Sequence, residues 1–363
     1  MSIRTIALYL PQFHPTPEND LWWGKGFTEW TNVTKAKPGF KDHYQPHLPA
    51  DFGFYDLRLN EILEAQAQLA ARYGVEGFCF YHYWFNGKRL LSRPLDDMLR
   101  LKRPDFPFMY CWANENWSRK WDGRDDDILI RQDYSFEDHT AHIRFLLNNV
   151  FSDKRYIKID GKPFFLVYRP GNIPDLELVI RIWREEATKH GFPGLYLGFM
   201  ETFGFKANSE SPYFDCAIGF QPDFSVSLPT IKPDLVQKCL HHLGISSSVH
   251  YSNYLFRYKD YVDKVIGRQK ERIPNQFPMV FPGWDNAARR SKMAFIFHEA
   301  TPQNYAKWLQ HEIDELDSME GSDKFLFINA WNEWAEGCHL EPCQKWGHAF
   351  LEATRQVLQK KSF

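Results

Sequence analysis

The chain has 363 residues and a formal net charge of −2, with 44 Lys and Arg against 46 Asp and Glu. A nearly neutral chain has no long-range attraction for nucleic acid or for an anionic membrane, so we expect neither as a partner. Aromatic residues make up 17% of the chain and include 13 tryptophans. Such a content is typical of a large aromatic core or of carbohydrate recognition, and position along the chain has to separate the two.

No apolar run approaches the roughly 20 residues of a membrane-spanning helix. Residues 1–6 pass at once into strand-like sequence and lack the cleavage region of a signal peptide. We therefore predict no membrane insertion and a cytoplasmic location. The six cysteines are scattered, and Cys79, Cys111 and Cys216 lie inside apolar runs, which is typical of buried thiols and not of a disulfide framework.

Short apolar runs bounded by Gly, Pro or Asp recur along the chain, and many are apolar on both faces, as parallel strands are. The predicted strands are, in order, 5–11, 77–84, 108–113, 164–168, 195–200, 216–220, 278–281 and 325–330. Segments with helical spacing of apolar residues lie between most of them. The predicted helices are 56–73, 136–150, 174–190, 250–268, 302–316 and 346–359.

Eight strands that alternate with helices predict an α/β fold, a single (β/α)8 TIM-like barrel with extended loops at its C-terminal face. The connection after the fifth strand is too short for a full helix, and residues 221–248 are predicted as a long irregular loop. No low-complexity linker and no internal repeat is evident, so one catalytic domain is expected over 1–363.

Polar and aromatic side chains follow every predicted strand at its C-terminal end, where barrel enzymes build their active sites. They include His14, His82, Asn114 with Glu115, Arg169, Glu201, Gln221, Asp285, and Glu333 with Glu336. A structural protein has little reason to place such groups at all eight strand ends. This distribution favours an enzyme.

The run from Phe325 to Gly337 is the strongest functional signal, since a buried strand leads directly to Glu333 and Glu336. Glycoside hydrolysis uses one carboxylic acid to protonate the leaving oxygen and a second carboxylate near the anomeric carbon. If the backbone turns after Trp334, the two acids face the same cleft. Repulsion between them and burial beneath Trp331 and Trp334 are then expected to raise one of the two pKa values.

Further residues are candidates for contacting a sugar substrate through hydrogen bonds or ring stacking. They are Tyr9, His82, Trp84, Trp112, Asn114, Glu115, Trp117, Arg169, Trp284, Asp285, Asn332 and Trp334. Glu115 is also a competing acid or a member of a structural ion pair, and His82 either bonds sugar hydroxyls or anchors the rim. Arg169 and Asp285 are as compatible with pairing to each other as with binding a ligand. The tryptophans are individually more typical of packing, although one or two should line the cleft.

Other chemistries have weak signals. Cys338, His339 and Cys343 lack the second ligand pair of a zinc site, and no metal or other cofactor is predicted. The run 125–127 resembles the metal–nucleotide motif of a transferase, but a solvated turn is the favoured interpretation. The pair at 241–242 has no metal-binding partner pattern, no glycine-rich phosphate loop follows a strand, and no nucleophile elbow is present.

At these residues the sequence resembles the glycoside hydrolase family 99-like proteins of the WbsX type, found in bacterial surface-polysaccharide gene clusters. The matching stretches cover nearly the whole chain and are 8–14 (LYLPQFH), 26–30 (GFTEW), 81–85 (YHYWF), 111–117 (CWANENW), 282–286 (PGWDN), 329–337 (NAWNEWAEG) and 341–342 (EP). The resemblance to family 99 proper, the endo-α-mannosidases, is more distant and is strongest at 332–337.

The resemblance implies a (β/α)8 barrel that retains anomeric configuration without an enzymic nucleophile. One carboxylate deprotonates the sugar's own 2-hydroxyl, which attacks the anomeric carbon to give a 1,2-anhydro sugar, and the other serves as acid and then base. By position Glu333 is the base towards the 2-hydroxyl and Glu336 the acid/base. The 2-hydroxyl must lie trans to the leaving group, as in α-mannosides and α-rhamnosides. The first strand lacks the Tyr-Tyr-Pro-Trp-Tyr-like run of family 99, so linkage is not transferred.

The leading hypothesis is a metal-independent retaining glycosidase acting on α-manno-configured links of a bacterial surface polysaccharide or its precursor. The alternatives are a glycosyltransferase or transglycosylase of O-antigen or capsule synthesis that uses the same cleft, and a non-catalytic glycan-binding protein. The expected partner is an oligo- or polysaccharide. The sequence does not indicate an oligomeric state, and it does not determine whether Glu29 reaches the cleft.

Overall fold

The computed structural model describes residues 3–119, 124–207, 212–243, 249–268, 273, 275–290, 292–319 and 324–360. Eight parallel strands form a closed barrel, because the last strand pairs with the first (Arg4 opposite Phe325) and the first also pairs with the second (Ile6 opposite Gly77). The barrel strands are β1 Arg4–Tyr9, β2 Gly77–Phe85, β3 Phe108–Trp112, β4 Lys162–Val167, β5 Tyr196–Met200, β6 Cys216–Gly219, β7 Gln276–Val280 and β8 Phe325–Ile328.

Helices lie between the strands, and several begin where the sequence supplies a capping side chain. They are α1 Pro17–Trp23, α2 Trp30–Lys35, α3 Asn60–Arg72, α4 Arg93–Leu101, α5 Phe136–Asn149, α6 Leu176–Lys189, α7 Leu235–His242, α8 Val249–Ser252, α9 Tyr258–Ile266, α10 Pro302–Ser318 and α11 Ala349–Gln359. Ser135 caps α5 and Thr301 caps α10 by accepting backbone N–H bonds from Asp138 and Asn304. The predicted (β/α)8 barrel is confirmed.

Four local predictions were wrong. The helix predicted over 250–268 is broken by a strand, Tyr254–Arg257, which pairs in parallel with Phe295–His298 outside the barrel. Helix α7 lies within the predicted irregular loop, and helices α1 and α2 precede α3 without having been predicted. The backbone at 125–127 belongs to a strand, Arg124–Ile130, and not to a turn. In each case tertiary pairing or packing overrides weak local patterning.

The two faces of β2 determine which side chains can reach the barrel interior, since successive side chains of a strand point to opposite sides. His82 and Trp84 point outward, where their rings pack against His142 and Phe145 of α5. Tyr81 and Tyr83 have the opposite orientation and are partly exposed. The side chains that face a cleft at this strand are therefore the two tyrosines.

Buried apolar residues fill both the barrel and the layer between barrel and helices. Cys79, Cys111 and Cys216 are buried free thiols, as predicted. Within the ranges that the structure describes, none of the helices combines the length and apolar character needed to cross a membrane.

Candidate active site

A hairpin at the C-terminal end of β8 carries Glu333 and Glu336. Asn332–Glu333 pairs antiparallel with Cys338–His339, and a 3₁₀ turn, Trp334–Glu336, connects them. The condition set by the sequence, a backbone turn that follows Glu333 and includes Trp334, is met. Because the turn offsets the three-residue spacing, both carboxylates reach the same partner, the guanidinium of Arg289.

The tightness of this hairpin explains the glycine that closes it. Gly337 has φ = +58°, a left-handed conformation that disfavours other residues. A Cβ atom at Gly337 would lie 3.2 Å from the Cβ atom of Asp285 and from Cε1 of His47. The backbone N–H of Asp285 also donates to the carbonyl of Glu336 at 2.7 Å. The loop after β7 thus holds the Glu336 end of the hairpin.

Arg289 lies on the loop after β7 and joins the two glutamates. Its Nη2 is 2.8 Å from Oε1 of Glu333, and its Nη1 is 3.0 Å from Oε1 of Glu336. A third carboxylate belongs to the same cluster, because Oε2 of Glu29 accepts from Nε at 3.2 Å and from Nη2 at 3.0 Å. The structure therefore brings Glu29 to the site, a point that the sequence had left open.

The electrostatics of this cluster follow from burial and from an excess of negative charge. Burial raises the pKa of Glu333 well above its ordinary value, against the opposing effect of Arg289 and with repulsion from Glu336 and Glu29 added. Burial likewise raises the pKa of Glu29. Burial acts to lower the pKa of Arg289, but the three carboxylates outweigh it and raise that pKa. One guanidinium cannot neutralise three carboxylates, two of which (Glu29 and Glu333) are buried, so the cluster favours a bound proton.

The charges of the two glutamates act on two tyrosines, Tyr83 and Tyr168. Burial and then the charge of Glu333 raise the pKa of Tyr83, while burial and then the charges of Glu115 and Glu336 raise that of Tyr168. Each phenol is thus within electrostatic range of one of the two glutamates. Tyr83 also contacts Trp117, with ring centroids 5.1 Å apart. Tyr83, Trp117 and Tyr168 are partly exposed, so their rings are available to a ligand.

Glu115 and Arg169 form an ion pair with each other. The guanidinium of Arg169 also lies 3.5 Å from the ring centroid of Phe203. The suggested pairing of Arg169 with Asp285 was wrong, because Asp285 instead accepts from His43 at 2.6 Å and Gln45 at 2.8 Å. Glu115 and Arg169 are partly exposed beside Tyr168, and their contact with substrate stays a prediction.

Four of the proposed substrate contacts lie on the outer face of the barrel and not in the cleft. Tyr9 is fully buried and donates to Gln66 of α3 at 2.6 Å. His82 and Trp84 are buried against α5, and the Trp84 indole donates to Asp138. Trp112 is buried against α5 and α6. These side chains have no surface left for a ligand, so we correct these four assignments.

Asn114, Asn332 and Asp285 support the site from within the protein. Asn114 accepts the backbone N–H of Arg169 and donates to its carbonyl, both at 2.7 Å. Asn332 forms the same two-sided bond with Leu10. Asp285 accepts hydrogen bonds from His43, from Gln45 and from the backbone N–H of Ala287. The last of these bonds caps the 3₁₀ turn Asn286–Ala288. We therefore correct their predicted role from substrate contact to support of the strand ends.

The two tryptophans that were expected to cover Glu333 and Glu336 instead bind a further carboxylate, Glu341. The indole N–H groups of Trp331 and Trp334 donate to Glu341 at 3.0 and 2.7 Å, joined by Tyr55 at 2.8 Å and Gln66 at 2.6 Å. Burial raises the pKa of Glu341 to about 7, although these four donors oppose the shift. Trp334 is therefore a buried scaffold residue beneath the hairpin and not a sugar-stacking one.

We expect Glu341→Gln to lower the free energy of unfolding by about 3 kcal/mol at pH 8, measured by urea denaturation. A glutamine has one acceptor oxygen, and its NH₂ group would face donors. Glu312→Gln is the matched control, because Glu312 is also buried and accepts the Trp308 indole at 2.9 Å, a bond that an amide oxygen can keep. Equal losses in the two variants would contradict a special role for Glu341.

Trp284 lines a separate cavity of about 340 Å³ with His43, His47, His298 and Trp346. The residues of the carboxylate–arginine cluster are Glu29, Arg289, Glu333 and Glu336, and none of these four lines this cavity. The Trp284 indole N–H is buried and has no hydrogen-bond partner. Trp284 is thus close to the site along the chain, but it faces a different space from the glutamates. In the described part of the chain, no group of three or more His, Cys, Asp or Glu side chains is arranged to hold a metal ion.

Sequence reasoning missed Arg289 and the two tyrosines. Arg289 follows the 282–286 motif by three residues, and nothing in its neighbourhood distinguishes it from a surface arginine. Of the two tyrosines, Tyr83 had a usable signal, because alternation along β2 places it, with Tyr81, on the face opposite to His82. Sequence reasoning gave residue type more weight than strand face and therefore selected His82 and Trp84 from the 81–85 motif in place of Tyr83.

The fold and the site together define a parallel (β/α)8 barrel with a carboxylate–arginine cluster at the C-terminal ends of its strands. The chain belongs to the family described as "Glycosyltransferase WbsX", whose model matches residues 5–354. It is 40% identical over 361 residues to "Uncharacterized protein WxcX" of Xanthomonas campestris pv. campestris strain B100, covering 98% of the chain. The chain spans about half the length (49%) of that relative.

Solved structures with the same fold include the GH99 endo-α-mannosidase of Bacteroides thetaiotaomicron, at a TM-score of 0.51 and 13% identity. That match covers 98% of this chain and 97% of the other. A "Glycoside hydrolase-like protein" matches with a TM-score of 0.57 and 13% identity, over 98% and 94% of the two chains. At this identity the similarity establishes the barrel fold and leaves the activity to be argued from the site.

Proposed function

We propose that this protein is a glycan-active enzyme, a retaining glycoside hydrolase for α-manno-configured linkages of a bacterial surface polysaccharide or its precursor. The observation that carries the proposal is the bridging of Glu333 and Glu336 by Arg289 at the C-terminal end of the barrel. Two carboxylates held on one side of a cleft are what glycosidic bond cleavage requires. The resemblance to WbsX-type proteins of surface-polysaccharide gene clusters and the fold shared with a GH99 endo-α-mannosidase support the same class of substrate.

In the proposed reaction, Glu333 removes the proton from the substrate 2-hydroxyl. That oxygen attacks the anomeric carbon and forms the 1,2-anhydro sugar. A carboxylate whose pKa is raised by burial is a stronger base towards a hydroxyl than an ordinary one, so the environment of Glu333 suits this role once it is ionised. Activity should accordingly decline as the pH falls below the pKa of Glu333, and this pKa is higher than that of an ordinary carboxyl group.

Glu336 donates its proton to the leaving oxygen as the anomeric C–O bond breaks. It then takes a proton from water, which attacks the anomeric carbon and opens the anhydro ring. The 2-oxygen regains its proton from Glu333, so protons balance over the cycle. The Glu336 side chain is 20% exposed, against 9% for Glu333, and it is therefore the carboxyl more accessible to a leaving group and to water.

Stereochemistry gives the proposal its substrate class. An attacking 2-hydroxyl must lie trans to the leaving group, which α-mannosides and α-rhamnosides satisfy. The rings of Tyr83 and Trp117, with centroids 5.1 Å apart, supply flat faces for a pyranose ring, and the ion pair of Glu115 with Arg169 supplies polar contacts.

The test is NMR of the purified protein with α-mannan, α-rhamnan and O-polysaccharide fragments, run beside Glu336→Gln. We expect a new reducing end that appears first as the α anomer and is absent with the variant. A first-formed β anomer would preserve hydrolysis but contradict the anhydro-sugar route. Absence of product from every glycan would contradict the hydrolase proposal.

The family description favours a second candidate, a glycosyltransferase or transglycosylase that uses the same cleft. A transglycosylase would join the glycosyl unit to an acceptor hydroxyl in place of water. Incubation with labelled acceptor oligosaccharides and a panel of nucleotide sugars separates the two candidates. Elongated acceptor without free reducing sugar would support transfer, and the release of free sugar supports hydrolysis.

A further inference from the structure

Glu29 occupies a position where a carboxylate is costly. Its side chain is 1% exposed, and its Oε1 is buried without a hydrogen-bond partner. It directly precedes α2 but makes no side-chain capping bond to that helix. Burial of an incompletely satisfied carboxylate opposes folding. Its presence here therefore indicates a functional role. Its side chain accepts two hydrogen bonds, and both come from Arg289.

The geometry around Arg289 shows what Glu29 contributes. Oε2 of Glu29 accepts from Nε and Nη2, which lie on one edge of the planar guanidinium. With this edge held, Nη2 still reaches Glu333 at 2.8 Å and Nη1 reaches Glu336 at 3.0 Å. Each of the two proposed catalytic carboxylates thus meets a different nitrogen of one rigid group.

We propose that Glu29 is a positioning residue that orients Arg289 as a bridge between Glu333 and Glu336. The role of the two glutamates in this inference rests on the proposed function. Glu29 acts through Arg289 and through its field, and it does not touch the substrate.

Two separable effects follow. Removal of the charge of Glu29 takes away a repulsion from Glu333, so Glu333 should lose its proton at lower pH and become a weaker base. Shortening Glu29 keeps a negative charge but withdraws it from the guanidinium edge, so Arg289 can turn away from the carboxylate pair. The first effect appears in a titration and the second in the rate.

The experiment compares wild type, Glu29→Gln, Glu29→Asp and the control Glu186→Gln. Glu186 is a buried glutamate bound by Arg144 at 2.6 Å between α5 and α6. The side-chain carboxyls are labelled with ¹³C and titrated by NMR in the free protein, and the Glu333 signal is assigned by its loss in Glu333→Gln. This readout needs no substrate, so it remains decisive even where no hydrolysis is detected.

We expect Glu29→Gln to lower the Glu333 titration midpoint by about one pH unit, with Glu186→Gln close to wild type. Glu29→Asp should not lower the midpoint, because the negative charge is retained while Arg289, which lowers the pKa of Glu333, is less firmly held. With a hydrolysed substrate, both Glu29 variants should lower kcat by about 100-fold with little change in KM. The acid limb of kcat should move down in Glu29→Gln. An unmoved Glu333 midpoint in Glu29→Gln would overturn the electrostatic part of the proposal. If Glu29→Gln does not fold, an unchanged kcat in Glu29→Asp would overturn the positioning role.

Discussion

Replacing Glu336 with Gln should reduce hydrolysis of an unactivated glycan by about 10³-fold or more while leaving substrate binding intact. The amide cannot donate a proton to the leaving oxygen, but it retains the size and much of the polarity of the acid. An aryl glycoside with a good leaving group needs no such proton for the first step. Cleavage of that substrate should therefore fall much less, at least in the first turnover.

Glu333→Gln should be equally damaging for a different reason. Without the base the 2-hydroxyl remains a poor nucleophile, so an activated leaving group should restore little activity. Steady-state kcat on both substrate types, with Kd from calorimetry, separates the two roles. Glu186→Gln provides the control for the loss of a buried, arginine-bound glutamate elsewhere. Activity near wild type in both site variants would contradict the site assignment.

The second large effect is expected at Arg289, where substitution by Met should lower the free energy of unfolding by about 3–5 kcal/mol at pH 8. The variant leaves Glu29, Glu333 and Glu336 close together without the cation to which all three are bound. Its folded state should therefore bind protons more readily than that of the wild type. A carboxyl group whose pKa is higher in the folded than in the unfolded state stabilises the protein at low pH. This stabilisation is lost as the pH rises through the folded-state pKa. The deficit should thus shrink from pH 8 to pH 5.5.

Urea denaturation at the two pH values measures this difference, and Arg144→Met is the matched control. The Arg144 side chain is 55% exposed where it pairs with Glu186, so its loss should cost less than about 1 kcal/mol. Equal losses in the two arginine variants, or a deficit at Arg289 that does not depend on pH, would contradict the proposed electrostatics of the cluster.

The barrel could be predicted because its signals are local and repeat eight times. Each strand is a short apolar run, and most of the helices that follow carry an apolar stripe, so an error at one element does not change the architecture. The broken helix over 250–268 shows the limit. Residues 254–257 have a pattern compatible with a helix, and their pairing with Phe295–His298 is a long-range choice that local periodicity does not contain.

Within the site, the sequence by itself determined the segment that carries Glu333 and Glu336, and it left the turn between them as a condition that the structure satisfies. It could not determine which aromatic and polar residues face the cleft, because that depends on strand orientation and on what each face packs against. His82 and Trp84 satisfy the composition of a sugar site but lie against α5, while Tyr83, one position away on the opposite face, is partly exposed, and the charge of Glu333 helps to raise its pKa. Only the tertiary structure brings Glu29 and Arg289 together, since 260 residues separate them along the chain. Their contact with the glutamates exists because the closed barrel places the loops after β1, β7 and β8 side by side.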